Sequence, residues 1–220
     1  MAQQLTFDLA VRPSLGRGDF FVSAANHLAL ARLDSPGTWP NGKLVLTGPK
    51  GAGKTHLAHV WAEQEAARLV TGAEISHLDI GSIDTAVTVD DADQLSAEGE
   101  TALFHLHNHL AAQSRHLLLA ARNAPSRWSI ALPDLRSRLE AAEVIAIDPP
   151  DDALLSAVLM KLFADRQIDV TPATIAWLTT HMDRSFGEAQ RIVALLDARA
   201  LAEHRKVTRD FAQEVLDKGL

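Results

Sequence analysis

Gly48-Pro49-Lys50-Gly51-Ala52-Gly53-Lys54-Thr55 decides how this chain is read. The stretch satisfies G-x-x-x-x-G-K-[ST]. It follows a short apolar run at 43–47 (KLVLT) and opens a helical pattern over 55–69, the context that gives the motif meaning. Glycines let successive backbone N–H groups converge on phosphate oxygens without Cβ clashes. The helix that follows turns its partial positive charge toward the anion. Lys54 has the reach for β- and γ-phosphates, the Thr55 hydroxyl suits Mg²⁺, and His56 continues the same turn. A chance glycine-rich turn is the competing reading, and a strand and a helix on the correct sides disfavour it. The stretch implies a nucleotide site.

Outward from the loop, the residues around 86–91 (AVTVDD) read as a β-branched strand ending in two carboxylates. Beside a phosphate loop, Asp90 suits the hydration shell of Mg²⁺ and Asp91 suits orientation of the attacking water. Alone, such a pair would pass for a turn or a helix cap. Further short apolar runs at 75–80, 117–121 and 144–147 alternate with helical stretches, including 98–113. Near-continuous apolar character fits strands covered on both faces, so the expected fold is α/β, a parallel sheet sandwiched by helices. Asp148-Pro149-Pro150 ends that pattern. Beyond it lie only helical segments at 151–166, 172–181, 185–204 and 209–216, each opened by a cap or first-turn signal; Ser185 with Glu188 has capping-box spacing. The expected organisation is a polar arm over 1–18, a nucleotide-binding α/β domain over 19–148 and a small all-α lid over 149–220.

Composition sets outer limits. The 220 residues are 47% hydrophobic and 22% charged, with 21 basic against 28 acidic residues and a formal charge of −7. Wholesale disorder is therefore not expected. The net acidity argues against coating duplex DNA by charge alone. Cysteine is absent, which excludes disulfides, thiolate catalysis and sulfur-ligated zinc and fits a reducing compartment. No apolar run approaches the roughly 20 residues of a membrane span, and the start lacks a signal-peptide pattern. The expected setting is the cytoplasm. His105, His107 and His109 lack the H-E-x-x-H pattern, so no metal other than Mg²⁺ is expected.

Several ordered segments resemble one family closely. Gly53-Lys54-Thr55-His56-Leu57-Ala58-His59 looks like the G-K-T-H-L-x-H of the bacterial replication initiator DnaA. Asp19-Phe20-Phe21-Val22, ahead of Asn26, is similar to the segment that packs on adenine there. Leu103-Phe104-His105-Leu106-His107-Asn108 resembles the family's next helix, and Leu132-Pro133-Asp134-Leu135-Arg136-Ser137-Arg138-Leu139 its arginine-finger motif. The match runs from about residue 19 to the end and points to DnaA and its short paralogues in the AAA+ class of P-loop ATPases. The resemblance implies a parallel α/β domain with a helical lid, bound ADP or ATP, and Mg²⁺. It also implies that Phe20, Phe21, Val22 and Asn123 lie at the nucleotide. Arg138 becomes the finger offered in trans, with Arg136 as its helper.

Two features select a regulatory branch of the family. The chain leaves no room after the lid for the helix-turn-helix domain of DnaA, so no independent duplex-DNA-binding domain is expected. The arm carries Gln4, Leu5, Phe7 and Leu9, which resemble the peptides that dock on the replicative sliding clamp, the β subunit of DNA polymerase III. The implied activity is an adaptor that stimulates hydrolysis of DnaA-bound ATP and so negatively regulates replication initiation. Its partners would be DnaA and the clamp, with a homodimer left open. The chain departs from the family where the lid usually offers an arginine: that position falls on Gly187, with Arg184 and Arg191 flanking as candidate substitutes. The family's aspartate at the end of the fourth strand reads Arg122. Both departures imply weak hydrolysis in the chain's own site. The alternatives are a DnaA-like loader or accessory that binds a partner without triggering hydrolysis and, more remotely, a P-loop small-molecule kinase.

Overall fold

Five strands carry most of the short apolar runs in this computed structural model, which describes residues 25–218. The arm over 1–18, with Gln4, Leu5, Phe7 and Leu9, and the segment Phe20–Val22 lie outside the described residues. β1 (Lys43–Thr47), β2 (Arg68–Thr71), β3 (Val87–Asp90), β4 (Leu117–Ala121) and β5 (Glu143–Ala146) form one sheet in the order β2-β3-β4-β1-β5. Every pairing is parallel. β1, β3 and β4 are buried along their whole lengths, as strands covered on both faces must be.

Alternate side chains of these strands feed two cores. Val45, Val87, Val89, Leu117 and Leu119 point toward α3 (Ala97–Ala112) and α4 (Pro133–Glu140). Leu44, Leu46 and Leu118 face the opposite layer, α1 (His27–Leu33) and α2 (Lys54–Gln64), where Trp39 stacks on Trp61 at 5.1 Å between ring centroids. Period 2 along each strand thus yields three layers.

The second strand is a correction. The run at 75–80 forms no strand; it makes two short 3₁₀ turns, Ile75–His77 and Ile80–Ser82. Ile75 is fully buried while Leu78 and Ile80 pack against the same core from the rim. The true β2 begins within the last two residues of the stretch expected to be helix. α2 stops at Gln64 because Ala66 turns into the left-handed region (φ +47°), which redirects the chain into Arg68–Thr71.

Beyond the sheet come α5 (Asp152–Asp165), α6 (Pro172–His181), α7 (Phe186–Glu203) and α8 (Arg209–Lys218). They bury a core of their own, with Leu155, Leu159, Phe163, Leu178, Ile192 and Phe211 at its centre. Each helix begins at a side-chain cap: Asp151, Thr171, Ser185 and Thr208 accept from the backbone N–H three residues on, at 2.8–3.3 Å. Among the described residues no helix is long and apolar enough to cross a membrane.

Candidate nucleotide site and interaction surface

The turn from β1 into α2 is a glycine-built cradle. Gly51 and Gly53 adopt φ +78° and +97°, conformations that L side chains rarely take. The lid stands directly over both glycines. A Cβ on Gly51 would lie 2.4 Å from the Ser185 Cβ, and one on Gly53 would lie 2.9 Å from the Phe186 ring. The Phe186 N–H also donates to the Gly51 carbonyl at 3.0 Å. The first turn of α7 is thus docked on the loop, with Gly48 and Ala52 buried beneath and Pro49 and Lys50 exposed at the rim.

Lys54 is buried, and its Nζ donates to the carbonyls of Gly48 and Pro49 at 2.8 and 2.9 Å. Burial holds its ammonium pKa below the ordinary value, partly offset by the charges of Asp90, Asp91 and Asp93. A folded-back lysine of this kind has only main-chain oxygens to satisfy it, and a phosphate would offer stronger partners. Thr55 is exposed on the first turn of α2, with His56 beside it.

β3 delivers the carboxylates across from the loop. Asp90 is 7% exposed, and its Oδ1 accepts the Asp91 N–H at 2.9 Å, which leaves Oδ2 for a further donor or a metal-bound water. Asp91 turns out of the strand at φ +48°. One carboxylate and one hydroxyl fit Mg²⁺, which keeps several waters and leans on phosphates rather than on a protein cage. Among the described residues no cluster of three His, Asp or Glu could hold a metal alone.

The other expected residues scatter. Asn123 is exposed beyond β4 and lines a shallow cleft of about 220 Å³ with Asp93, Glu100 and Arg127. Arg184 pairs with Asp152 at 2.7 Å and Arg191 with Glu188 at 2.7 Å, so both guanidiniums are engaged inside the lid. The space around Gly187 is open. Arg136 donates to the Ile130 carbonyl and is tied to its own domain.

Arg138 is different. It is exposed on the last turn of α4, and its guanidinium lies over the Phe104 ring, 5.1 Å from the centroid. The helix below it rests on a residue that the sequence reading passed over. Glu100, in the first turn of α3, is 7% exposed, and its Oε2 accepts the N–H groups of Ala131 and Leu132 at 2.9 and 3.1 Å, just ahead of α4. Three positions into α3 in helical register, it could have been suspected only from the apolar residues around it. His107, one turn beyond Phe104, is buried with an unpartnered Nδ1, and burial pushes its pKa down to about 4, helped by the charges of Lys43 and Arg138.

This geometry has known relatives. Residues 152–216 match the family model described as "Hda, lid domain". The helical lid is thus of the Hda type. The chain is 26% identical to the chromosomal replication initiator protein DnaA of Cutibacterium acnes over 96% of this chain and 45% of that one, so it spans under half of that relative's length. Among solved structures, domain III of the Thermotoga maritima DnaA superposes with a TM-score of 0.79 at 19% identity, covering 94% of this chain and 97% of that one. AMPPCP-bound DnaA from Aquifex aeolicus superposes with a TM-score of 0.70 at 18% identity, covering 88% and 68%. At these identities the structures speak for the fold, the parallel sheet with its helical lid. In lid and core alike, the chain is similar to DnaA-related replication proteins.

Proposed function

We propose that this chain is a nucleotide-bound adaptor that, on the DNA-loaded sliding clamp, offers Arg138 to ATP held by DnaA and so drives its hydrolysis. The observation that carries the reading is the exposed guanidinium of Arg138, steadied on the Phe104 ring at the end of a helix whose start is pinned by Glu100. A finger must reach a neighbour's active site without losing its aim, and this one is both exposed and anchored. Placed at a γ-phosphate, such an arginine stabilises charge spread over the equatorial oxygens, an effect worth about 10³–10⁵ in rate in well-studied systems.

In the chain's own site, the loop amides of Gly48–Thr55 and Lys54 hold ADP or ATP, as the AMPPCP-bound relative suggests. Mg²⁺, when bound, would neutralise the terminal phosphates. Thr55 and Asp90 hold it, Asp91 orients water, and Phe20, Phe21, Val22 and Asn123 line the base and phosphate. The engaged lid arginines fit slow turnover here. Gln4, Leu5, Phe7 and Leu9 dock on the β clamp, and the protein works in the cytoplasm.

Purified DnaA loaded with γ-labelled ATP tests this. Phosphate release should rise only when this protein and DNA-loaded clamp are both present. Arg138→Ala should remove the rise, and deletion of residues 1–9 should remove its dependence on clamp. Release that is unaffected by Arg138→Ala refutes the finger.

A further inference from the structure

The cleft beside β4 holds two carboxylates that the nucleotide reading leaves unused. It lies between the segment after β3 and the segment after β4, has a volume of about 220 Å³, and is backed by the buried side chains of Trp128 and Ile130. Asp93 lines it, and its Oδ2 accepts the Arg122 N–H at 3.1 Å. The Asp93 Oδ1 is shielded from solvent and has no partner. Glu100 lines the same cleft from the start of α3 and is 7% exposed. Its Oε2 is taken by the Ala131 and Leu132 N–H groups, and among the described residues no donor meets its Oε1. Backbone donors thus fix both carboxylates, and each keeps one oxygen unfilled. An unfilled oxygen on a carboxylate drawn out of water is costly until a donor reaches it.

Among the described residues no cation of the chain answers them. Arg127 also lines the cleft, but it is exposed and makes no ion pair with either carboxylate. The position of the cleft says where a cation would come from. Glu100 stands one turn before Phe104 on α3, and Phe104 carries the Arg138 guanidinium. The N–H groups that Glu100 holds come just before α4, and Arg138 lies in the last turn of that helix. The cleft and Arg138 therefore sit toward opposite ends of an eight-residue helix, roughly 12 Å in length. A protein interface of ordinary size, about 800 Å² on each partner, spans both.

We propose that the cleft receives an arginine side chain of the same protein partner to which Arg138 is offered, so that the chain gives one guanidinium and takes another. The inference rests on the adaptor reading. A guanidinium carries five N–H donors in one plane and is weakly hydrated, so it suits two fixed oxygens better than a compact, strongly hydrated ammonium does. The carboxylates are already held and partly desolvated by the fold, which leaves little to order on binding. A charge-assisted hydrogen bond gained there favours the complex by roughly tenfold or more. Arg127 opposes an incoming cation by like charge. Substitutions at Asp93 and Arg127 should therefore act with opposite signs.

Two measurements on the full chain test this. The first is the affinity of ATP-loaded DnaA for the chain held on DNA-loaded clamp. Asp93→Asn, which keeps an acceptor for the Arg122 N–H, should weaken it about tenfold, and Arg127→Ala should strengthen it roughly twofold. A cleft that is merely structural would weaken with both variants, and equal signs overturn the assignment. The second follows the Trp128 indole N–H resonance as acetyl-Gly-Arg-Gly-amide is added, beside the citrulline peptide of the same shape without the charge. The arginine peptide should shift the signal, Asp93→Asn should abolish that shift, and the citrulline peptide should leave the signal in place. An arginine peptide no more effective than citrulline overturns the proposal. Wild-type chain that does not bind DnaA refutes the adaptor reading, and the peptide then decides the cleft by itself. Thermal melts and fluorescent ADP binding matched to wild type verify that the variants are folded with the loop intact.

Discussion

Acidification should destabilise this protein through one histidine. His107 is 8% exposed on α3, its Nδ1 is unpartnered, and its pKa is pushed down to about 4 by burial first and then by the charges of Lys43 and Arg138; a hydrogen bond with the Asn108 side chain opposes the shift. In the unfolded chain the same ring titrates near its ordinary 6.5. Between those two values the unfolded state binds one more proton than the native state, so stability falls as pH falls, by about 1.4 kcal/mol per unit at most. Across the window the loss is about 3 kcal/mol, a large share of the about 5–15 kcal/mol that holds a typical domain together. Above pH 7 the ring is neutral in both states and contributes no slope. Urea unfolding of wild type and His107→Gln at intervals from pH 7 to pH 4.5 isolates the effect, because carboxylate titrations are shared by both proteins and cancel. Wild type should lose stability faster than the variant over this range. Parallel curves, or an imidazole resonance of native His107 that titrates above pH 6, would refute the argument.

Three further outcomes follow from the geometry around the loop and the finger. Phe104→Leu removes the ring under Arg138, an exposed cation–π contact worth about 0.5–1 kcal/mol, so stimulated phosphate release by DnaA should fall roughly two- to fivefold with the melting temperature nearly unchanged. Glu100→Ala leaves two partly buried N–H groups ahead of α4 without their acceptor and should cost about 1–3 kcal/mol in urea unfolding, whereas Glu100→Gln, which keeps an acceptor, should recover much of it. Gly51→Ala forces a side chain into the left-handed region and against Ser185, so the first turn of α7 must shift; hydrogen exchange at the Phe186 amide should accelerate, with about 1–3 kcal/mol lost.

Most of the fold was legible because its strands are buried on both faces. β1, β3 and β4 leave continuous apolar runs that no helix of similar length would show, and the caps at Asp151, Thr171, Ser185 and Thr208 announced the lid helices. β2 was hidden for the opposite reason. It is an edge strand with only Val70 buried, and the stop in α2 rests on an alanine at positive φ rather than on a glycine or proline. Residues 75–80 misled because one deeply buried isoleucine flanked by rim residues imitates a short strand. At the candidate site, the loop residues and Asp90 declare themselves by type and spacing. The state of the arginines does not. Whether Arg184, Arg191 and Arg136 are free or engaged depends on Asp152, Glu188 and the Ile130 carbonyl, partners that only the folded chain brings near them.

That distribution of partners separates two kinds of arginine in one chain. Arg184, Arg191 and Arg136 spend their charge on local acceptors, which fixes lid and α4 in place. Arg138 has an aromatic ring for a neighbour, and an aromatic face orients a guanidinium while leaving its N–H groups unfilled. Arg122 has its backbone held and its side chain unoccupied. A cation whose hydrogen bonds are already made gains little from a phosphate, because the new bonds only replace old ones; one whose donors face water gains charge-assisted bonds at a modest desolvation cost. On the proposed function, phosphate contact in trans should therefore be sought at Arg138 before Arg136. The order of sensitivity follows. Hydrolysis on DnaA should respond to Arg138 and survive substitution of Arg136, provided α4 stays folded. If the two responses were exchanged, the chemistry of free and engaged guanidiniums would not be what organises this protein.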